Sequence, residues 1–435
     1  MPSDDAALAV VAHAADRIDD RPVDGPRGAP PAIRIRMYRV GFGDCFLLSL
    51  PTDSGMQHVL IDCGVHNRGR IGTLDKVVEN IAEETDKKLA LVIASHAHQD
   101  HISGFASHAE AFRAFEVREV WLPWTENPDD TSAEALQQSY AALAKNVELR
   151  FGADTGPQET RPAAEAALEN LTGNEKALQT LRSGINGGKV VYVEADTRLT
   201  DVAGVRGLSA RILGPPRDPT SLAGLYVPVD ERLLRVGSDS SIESVDAITP
   251  FPGRWQVSAN VTKHYAAITE TDKNLLAVAA TNAVGMAFAL DRALNNTSIV
   301  ALLAYGGKSM LFSGDAQYGS WRSWLEKSAG VDPLSTVSFY KASHHGSFNA
   351  TPKSALERMK EKGFVTMVST QSEPWASIPF PRLIQALDAR SSGVARSDAV
   401  PIEGAPTPPD GQVLPDCFQV GPFWIDCLLP LEGGT

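Results

Sequence analysis

The sequence predicts an α/β protein in which two β-sheets pack face to face with helices on the outside, a four-layer αββα sandwich. Two observations predict it. Strand-like runs alternate with amphipathic helical stretches along most of the chain, which calls for layers rather than a bundle or a barrel. Three separate strands also end in metal-ligand residues, at 96–101, at 315 and at 344–345. In layered α/β folds sites gather at strand ends, so a common meeting point is expected.

The pattern of strands begins at Ala32. Ile33, Ile35 and Met37 alternate with Arg34, Arg36 and Tyr38, the period of a half-buried strand. The turn Gly41-Phe42-Gly43-Asp44 leads to a second run, Cys45–Leu50. Pro51–Gly55 is a turn, and His58–Asp62 is a third strand closing on Asp62-Cys63-Gly64. Thr73 is placed to cap a helix through Glu84, with Leu74, Val77, Val78 and Ile81 on one face. A strand at Leu89–Ala94, a helix at Phe105–Phe115 and a strand at Val117–Leu122 follow.

From Pro123 to about Lys273 the signal weakens. Ser132–Leu149 and Ala163–Leu181 read as helices, and Val190–Val193 and Leu208–Leu213 as strands. Pro215–Pro252 reads as a surface loop or lid, and Asn274–Leu290 as a buried helix or strand pair. Strands return at Ser298–Ala304 and Ser309–Phe312, joined by the hairpin turn Tyr305-Gly306-Gly307-Lys308. Trp321–Lys327 is a helix, and Val337–Ala342 is a strand ending in Ser343-His344-His345-Gly346-Ser347. Phe364–Ser369 is a strand, Pro381–Ala389 a helix, and Phe418–Val420 and Phe423–Leu429 are closing strands. The expected organisation is a disordered leader at 1–31 and one domain at 32–435, interrupted by an insertion at about 124–280.

Composition narrows the function. The 435 residues are 43% hydrophobic and 21% charged, ordinary globular values, and the formal net charge is −13. An acidic chain is poorly suited to wrapping long nucleic acid, but bound metals supply local positive charge, so phosphodiester cleavage stays open. Cys45, Cys63, Cys417 and Cys427 form no CxxC pair and read as buried free thiols. The N-terminal stretch lacks a secretory apolar core, and the Asn274–Leu290 run is short and mixed for a membrane span. A soluble, cytoplasmic protein is expected.

The run Ser95-His96-Ala97-His98-Gln99-Asp100-His101 carries the chemistry. Four potential ligands fall within six positions directly after an apolar strand. Such spacing lets His96 and His98 point to one side and Asp100 and His101 to another, which suits two neighbouring divalent cations. His13, His58, His66 and His108 lie in no motif and read as surface or packing residues.

At these residues the chain resembles the metallo-β-lactamase fold superfamily. The resemblance rests on Leu60-Ile61-Asp62-Cys63-Gly64, the 95–101 run, Phe312-Ser313-Gly314-Asp315 and Ser343-His344-His345-Gly346-Ser347. Within the superfamily it is similar to the hydrolase domain of ComEC-type DNA-uptake proteins. The segments that carry this are Val40-Gly41-Phe42-Gly43-Asp44-Cys45, Asn295-Asn296-Thr297-Ser298, His344-His345-Gly346-Ser347 and Ile378-Pro379-Phe380-Pro381-Arg382. The membrane-spanning portions of such proteins are absent from the sequence, so transport is not implied.

The resemblance implies a dinuclear centre of two divalent metal ions, zinc in the first place with manganese as the other candidate. His96 and His98 would hold the first ion, Asp100 and His101 the second. Asp315 would bridge them, and His344, favoured over His345, would complete the second. A catalytic set of Asp100, Asp315 and His345 is implied, with Asp100 doubling as proton acceptor and His345, Asn296, Ser347 and Lys341 as candidates for touching substrate. Asp62 would fix a ligand tautomer from behind. Many superfamily members add a third His to the first ion just before the strand equivalent to Ser298–Ala304. This chain has none there, which leaves water, an Asn oxygen, a returning His264 or a single-ion site.

The implied function is metal-dependent hydrolysis by an activated water, with a small-molecule or nucleic-acid phosphoester as substrate. The alternatives are a lactone, thioester or β-lactam hydrolase, or a non-catalytic module that metal stabilises. Fold alone does not choose among them.

Overall fold

The computed structural model describes residues 31–69, 71–151, 174–223, 227–232, 283–327, 332–400 and 414–431, together with 165 and 169. The leader at 1–30, His13, His264, nearly half of Ala163–Leu181 and most of Pro215–Pro252 lie outside these residues.

The first sheet holds eight strands. They are β1 (Ala32–Tyr38), β3 (Cys45–Thr52), β4 (Gly55–Cys63), β6 (Lys88–Ile93), β7 (Glu116–Pro123), β8 (Lys189–Val193), β16 (Phe418–Val420) and β17 (Trp424–Pro430). Their order is β16-β17-β1-β3-β4-β6-β7-β8. The second holds β9 (Arg198–Leu199), β10 (Ser209–Gly214), β11 (Val300–Tyr305), β12 (Lys308–Phe312), β13 (Val337–Lys341), β14 (Val365–Val368) and β15 (Gly393–Arg396). Its order runs from β15 down to β9, every strand lying beside its neighbour in sequence. A small ribbon of β2 (Gly41–Phe42) and β5 (Asn67–Arg68) stands apart.

Period-2 alternation builds the four layers. Ile33, Ile35, Phe46, Leu48 and Ile61 from the first sheet meet Ile212, Leu303, Phe312, Phe339 and Met367 from the second in one buried cluster. The other face of the first sheet, with Leu47, Leu60 and Val92, packs under α1 (Leu74–Thr85), α2 (Gln99–Ser107) and α4 (Glu175–Arg182). The other face of the second, with Leu302, Leu311 and Tyr340, packs under α6 (Tyr318–Leu325) and α7 (Pro381–Arg390). Two more helices matter below: α3 (Thr131–Phe151) and α5 (Ala283–Asn295). At 25 cal/mol per Å² of apolar surface, each fully buried Leu, Ile or Phe of these clusters contributes about 2 kcal/mol.

Most sequence expectations are met within two residues, with informative departures. The helix expected over Phe105–Phe115 starts earlier and breaks: it begins at Gln99, inside the His cluster, and ends at Ser107, followed by a turn at Ala109–Phe112. Asp100 and His101 therefore sit in a first helical turn rather than a loop. The chain at Asn274–Leu290 forms helix α5 over 283–295, displaced toward the site, while 274–282 lie outside the described residues. Strand β15 at 393–396 and a helix at Lys353–Arg358 carry no clear sequence signal. All four cysteines are free thiols. Among the described residues no helix is long and apolar enough to cross a membrane.

Strand direction positions the site. β4 runs parallel to β6, and β12 parallel to β13 and β14. The carboxyl ends of these five strands open at one edge of the sandwich, where Asp62, Ser95–His101, Asp315, His345 and Ser369 follow them.

Candidate metal centre

Glycine lets the backbones converge. A Cβ on Gly64 would lie 2.4 Å from the His101 nitrogen, and one on Gly314, whose φ is +49°, would lie 2.9 Å from the Ser95 and Ser298 Cβ atoms. Only residues without a side chain fit between the end of β4 and helix α2, and between the two sheet edges.

The first cluster comprises Asp100, His101, Asp315 and His345, each contributing one ligand atom, all within 4.8 Å of one another and all buried. His101 Nε2 lies 3.1 Å from Asp315 Oδ2, and His345 Nε2 lies 2.8 Å from Asp100 Oδ2 and 3.3 Å from Asp315 Oδ2. His96 and His98 face each other beside it, Nε2 to Nδ1 at 2.9 Å. Five of the six residues expected as metal ligands thus meet.

The sixth, His344, stands apart from them. His345 enters the cluster; His344 does not. The two adopt consecutive left-handed conformations, with φ 47° and 53°, costly for residues with a Cβ and characteristic of functional turns. That twist sends the rings apart. His344 is held by its neighbours, Nδ1 lying 2.8 Å from Ser347 Oγ and 3.2 Å from Gln317 Nε2, and its Nε2 stays 4.0 Å from Asp315 Oδ2.

Behind the inward-facing atoms lies a layer of anchors. Asp62, at φ 56°, accepts from the Ser95 backbone N–H and hydroxyl, both at 2.7 Å, and from His101 Nδ1 at 2.8 Å. His345 Nδ1 donates to the Ser369 carbonyl at 3.0 Å. Lys341, expected at the substrate, is instead fully buried. Its ammonium bonds the Gly314 carbonyl at 2.9 Å, reaches Asp315 Oδ1 at 3.3 Å and is tightly paired with Asp44. Asn296 is likewise structural: its Oδ1 accepts the Gln317 and Ser320 N–H groups and its Nδ2 donates to the Leu222 carbonyl. Asp44 and Asp291 were not singled out from the sequence. Asp44 stands at the end of the Gly-Phe-Gly turn, and Asp291 is the charge that bounds the apolar run Asn274–Leu290.

Charges in the buried cluster depend on one another. Burial lowers the His345 imidazole, but Asp315 and Asp44 outweigh this and raise it to about 10. His101 is raised well above the usual range in the same way, by Asp315, Asp100 and Asp62 against burial. Burial raises the Asp315 carboxyl, yet His101, His345 and Lys341 hold it well below the ordinary range. His96 is lowered well below its usual value, by burial and then by His101. Burial lowers His98 to about 4 and lifts the Asp291 carboxyl to about 8, the latter aided by Asp100.

The donor set fits divalent cations. Imidazole nitrogens and carboxylate oxygens suit zinc and manganese. His101 Nε2, which faces Asp315 and Asp100 inside the cluster, is buried without a hydrogen bond among the described residues, as the donor atom of a ligand would be. Packing explains the remaining histidines: His58 lies 3.0 Å from Ser49 Oγ, His66 rests on Trp375, and His108 pairs with Asp75 at the surface.

Residues 38–174 match the family model of the metallo-beta-lactamase superfamily. The match covers Asp62 and the whole 95–101 run; Asp315 and His345 lie beyond it. Among solved structures the chain is similar to the metallo-beta-lactamase fold protein YhfI from Bacillus subtilis. The identity is 10%, the TM-score 0.33, and the alignment covers 83% of this chain and 95% of that one. No curated protein matches the chain.

Proposed function

We propose that this chain is a metal-dependent hydrolase of phosphoesters that works with two divalent cations. The observation that carries the reading is the buried convergence of Asp100, His101, Asp315 and His345 beside the His96–His98 pair. His96 and His98 would hold the first ion, Asp100, His101 and His345 the second, and Asp315 would span both. When bound, such a pair supplies Lewis acidity and a water that ionises near neutral pH.

The chain's own residues do the rest. Asp62 and Ser369 hold His101 and His345 by their outer nitrogens, so that each ring presents Nε2 inward. Lys341 occupies Asp315 Oδ1 and leaves Oδ2 toward the histidines. Asp100, whose Oδ2 already faces His345, is placed to take a proton from the attacking water or return it to the leaving oxygen. The phosphoester assignment draws support from the similarity to DNA-uptake hydrolase domains. Two segments that carry it, at 40–45 and at 344–347, meet where Asp44 faces His345.

The test is turnover of bis-p-nitrophenyl phosphate by the zinc- or manganese-loaded chain, set beside a lactone, a thioester and a β-lactam. Phosphodiester turnover that disappears in Asp315→Asn and His345→Ala, with circular dichroism unchanged, supports the reading. Turnover confined to the carbon esters, or undiminished in both variants, overturns it.

A further inference from the structure

We propose that Asp291 anchors the outer nitrogen of His98, completing the half of the site that holds the first cation; the proposal rests on the two-cation reading above. A break in a pattern points to it. Three imidazoles of the cluster have one nitrogen tied to the protein and the other turned inward. His101 is tied through Nδ1 to Asp62 at 2.8 Å, His345 through Nδ1 to the Ser369 carbonyl at 3.0 Å, and His96 Nδ1 lies 3.1 Å from Ser95 Oγ. His98 is reversed. Its Nδ1 turns inward toward His96, and its Nε2 is buried with no hydrogen-bond partner among the described residues.

The carboxylate across from that nitrogen is Asp291, with Oδ1 at 4.0 Å. Asp291 sits on helix α5, one turn before Asn295, so both face the same way. Asn295 Nδ2 donates to Asp291 Oδ2 at 3.2 Å, which occupies one carboxylate oxygen and leaves the other aimed at His98. An approach of about 1 Å would bring the pair to hydrogen-bond length.

That bond has a chemical consequence. It keeps the His98 proton on Nε2 and the lone pair on Nδ1, and it makes Nδ1 more basic toward a cation. The first-ion half has no third His in the segment 294–298, so a more basic His98 offsets part of that loss. Asp291 is a positioning residue here, acting through His98.

Zinc titration of the EDTA-stripped full-length chain tests this, with metal content measured by mass spectrometry and the ring N–H resonances of ¹⁵N-histidine-labelled protein followed by NMR. In Asp291→Ala one of the two zinc ions should bind ten- to a hundredfold more weakly while the other is unchanged. A slowly exchanging ring N–H present in the zinc-loaded native chain, and lost in His98→Gln, should vanish in Asp291→Ala. Asp291→Asn keeps an acceptor oxygen and should lose less, and it carries the test where the alanine variant does not fold. Zinc isotherms of both variants that superimpose on the native one, or a persisting N–H resonance, overturn the anchor alone. A native chain that binds no zinc overturns the two-cation reading with it.

Discussion

Replacing Lys341 with Met should destabilise the cation-free protein by several kcal/mol, and the loss should shrink as the pH falls. Lys341 is 2% exposed, and its ammonium is paired with Asp44 and lies 3.3 Å from Asp315 Oδ1. Methionine fills much the same space, so the change removes charge more than volume. Removing one partner of a buried ion pair costs about 3–5 kcal/mol. A second route gives the same figure: protonating the orphaned carboxylate costs about 1.4 kcal/mol per pH unit above an ordinary pKa near 4, or ~4 kcal/mol at pH 7. In the variant that carboxyl has a folded-state pKa above its unfolded one. Its penalty is therefore full at neutral pH and relaxes as pH falls, to ~1.5 kcal/mol at pH 5 by the same per-unit cost. Urea unfolding of EDTA-treated protein at pH 7 and pH 5 measures both numbers. Lys341→Met combined with Asp44→Asn removes one charge of each sign and should recover most of the loss. A pH-independent loss below about 1 kcal/mol would refute the argument that this ammonium balances the buried carboxylates.

Three further outcomes follow from the same network. Without cations His345 is raised to about 10 and so carries a proton at pH 7, and His101 is raised in the same direction beside Asp315. Because ligand imidazoles must be neutral, loading at pH 7 should release on the order of two protons, and affinity should rise with pH; calorimetry in buffers of different ionisation enthalpy counts them, and zero release refutes it. Asp62→Ala leaves His101 Nδ1 and the Ser95 N–H and hydroxyl without their acceptor and should weaken cation binding ten- to a hundredfold, read by competition with a chelating dye. His58, lowered from 6.5 to about 4 chiefly by burial, takes up a proton in the unfolded chain first. Its contribution is present above pH 6.5 and is lost as pH falls toward 4, ~2 kcal/mol between pH 7 and 5. His58→Gln should flatten that part of the urea-unfolding pH profile, and a profile unchanged by the substitution counts against it.

The fold was legible where side-chain period and turn chemistry agreed. The alternation at Ile33–Tyr38 and the Gly306-Gly307 turn, both glycines at positive φ, gave strands and hairpin in register. Legibility failed where tertiary context decides. Strand β15 is four residues long and has the company of β14 rather than a pattern of its own. The first part of helix α5 reads as the end of an apolar run, and Asp291 looks like its boundary charge.

The site shows the same divide at finer scale. The convergence of the 96–101 run was legible because a strand followed at once by a helix leaves few directions for four such side chains in six positions. The choice between His344 and His345 was not, because it turns on two consecutive left-handed residues, and nothing in Ser-His-His-Gly-Ser announces a positive φ before Gly346. The anchors were hidden for a different reason. Asp44, Lys341 and Asp291 come from three distant parts of the chain, and nothing in the sequence alone links one to another. Burial changes what such residues mean. A charged side chain is almost never fully enclosed without a partner, so Lys341, enclosed between Asp44 and Asp315, places them on a single network. Asp291 stands at the edge of that logic, held at one oxygen by Asn295 and facing, with the other, the outer nitrogen of His98, which has no hydrogen bond among the described residues.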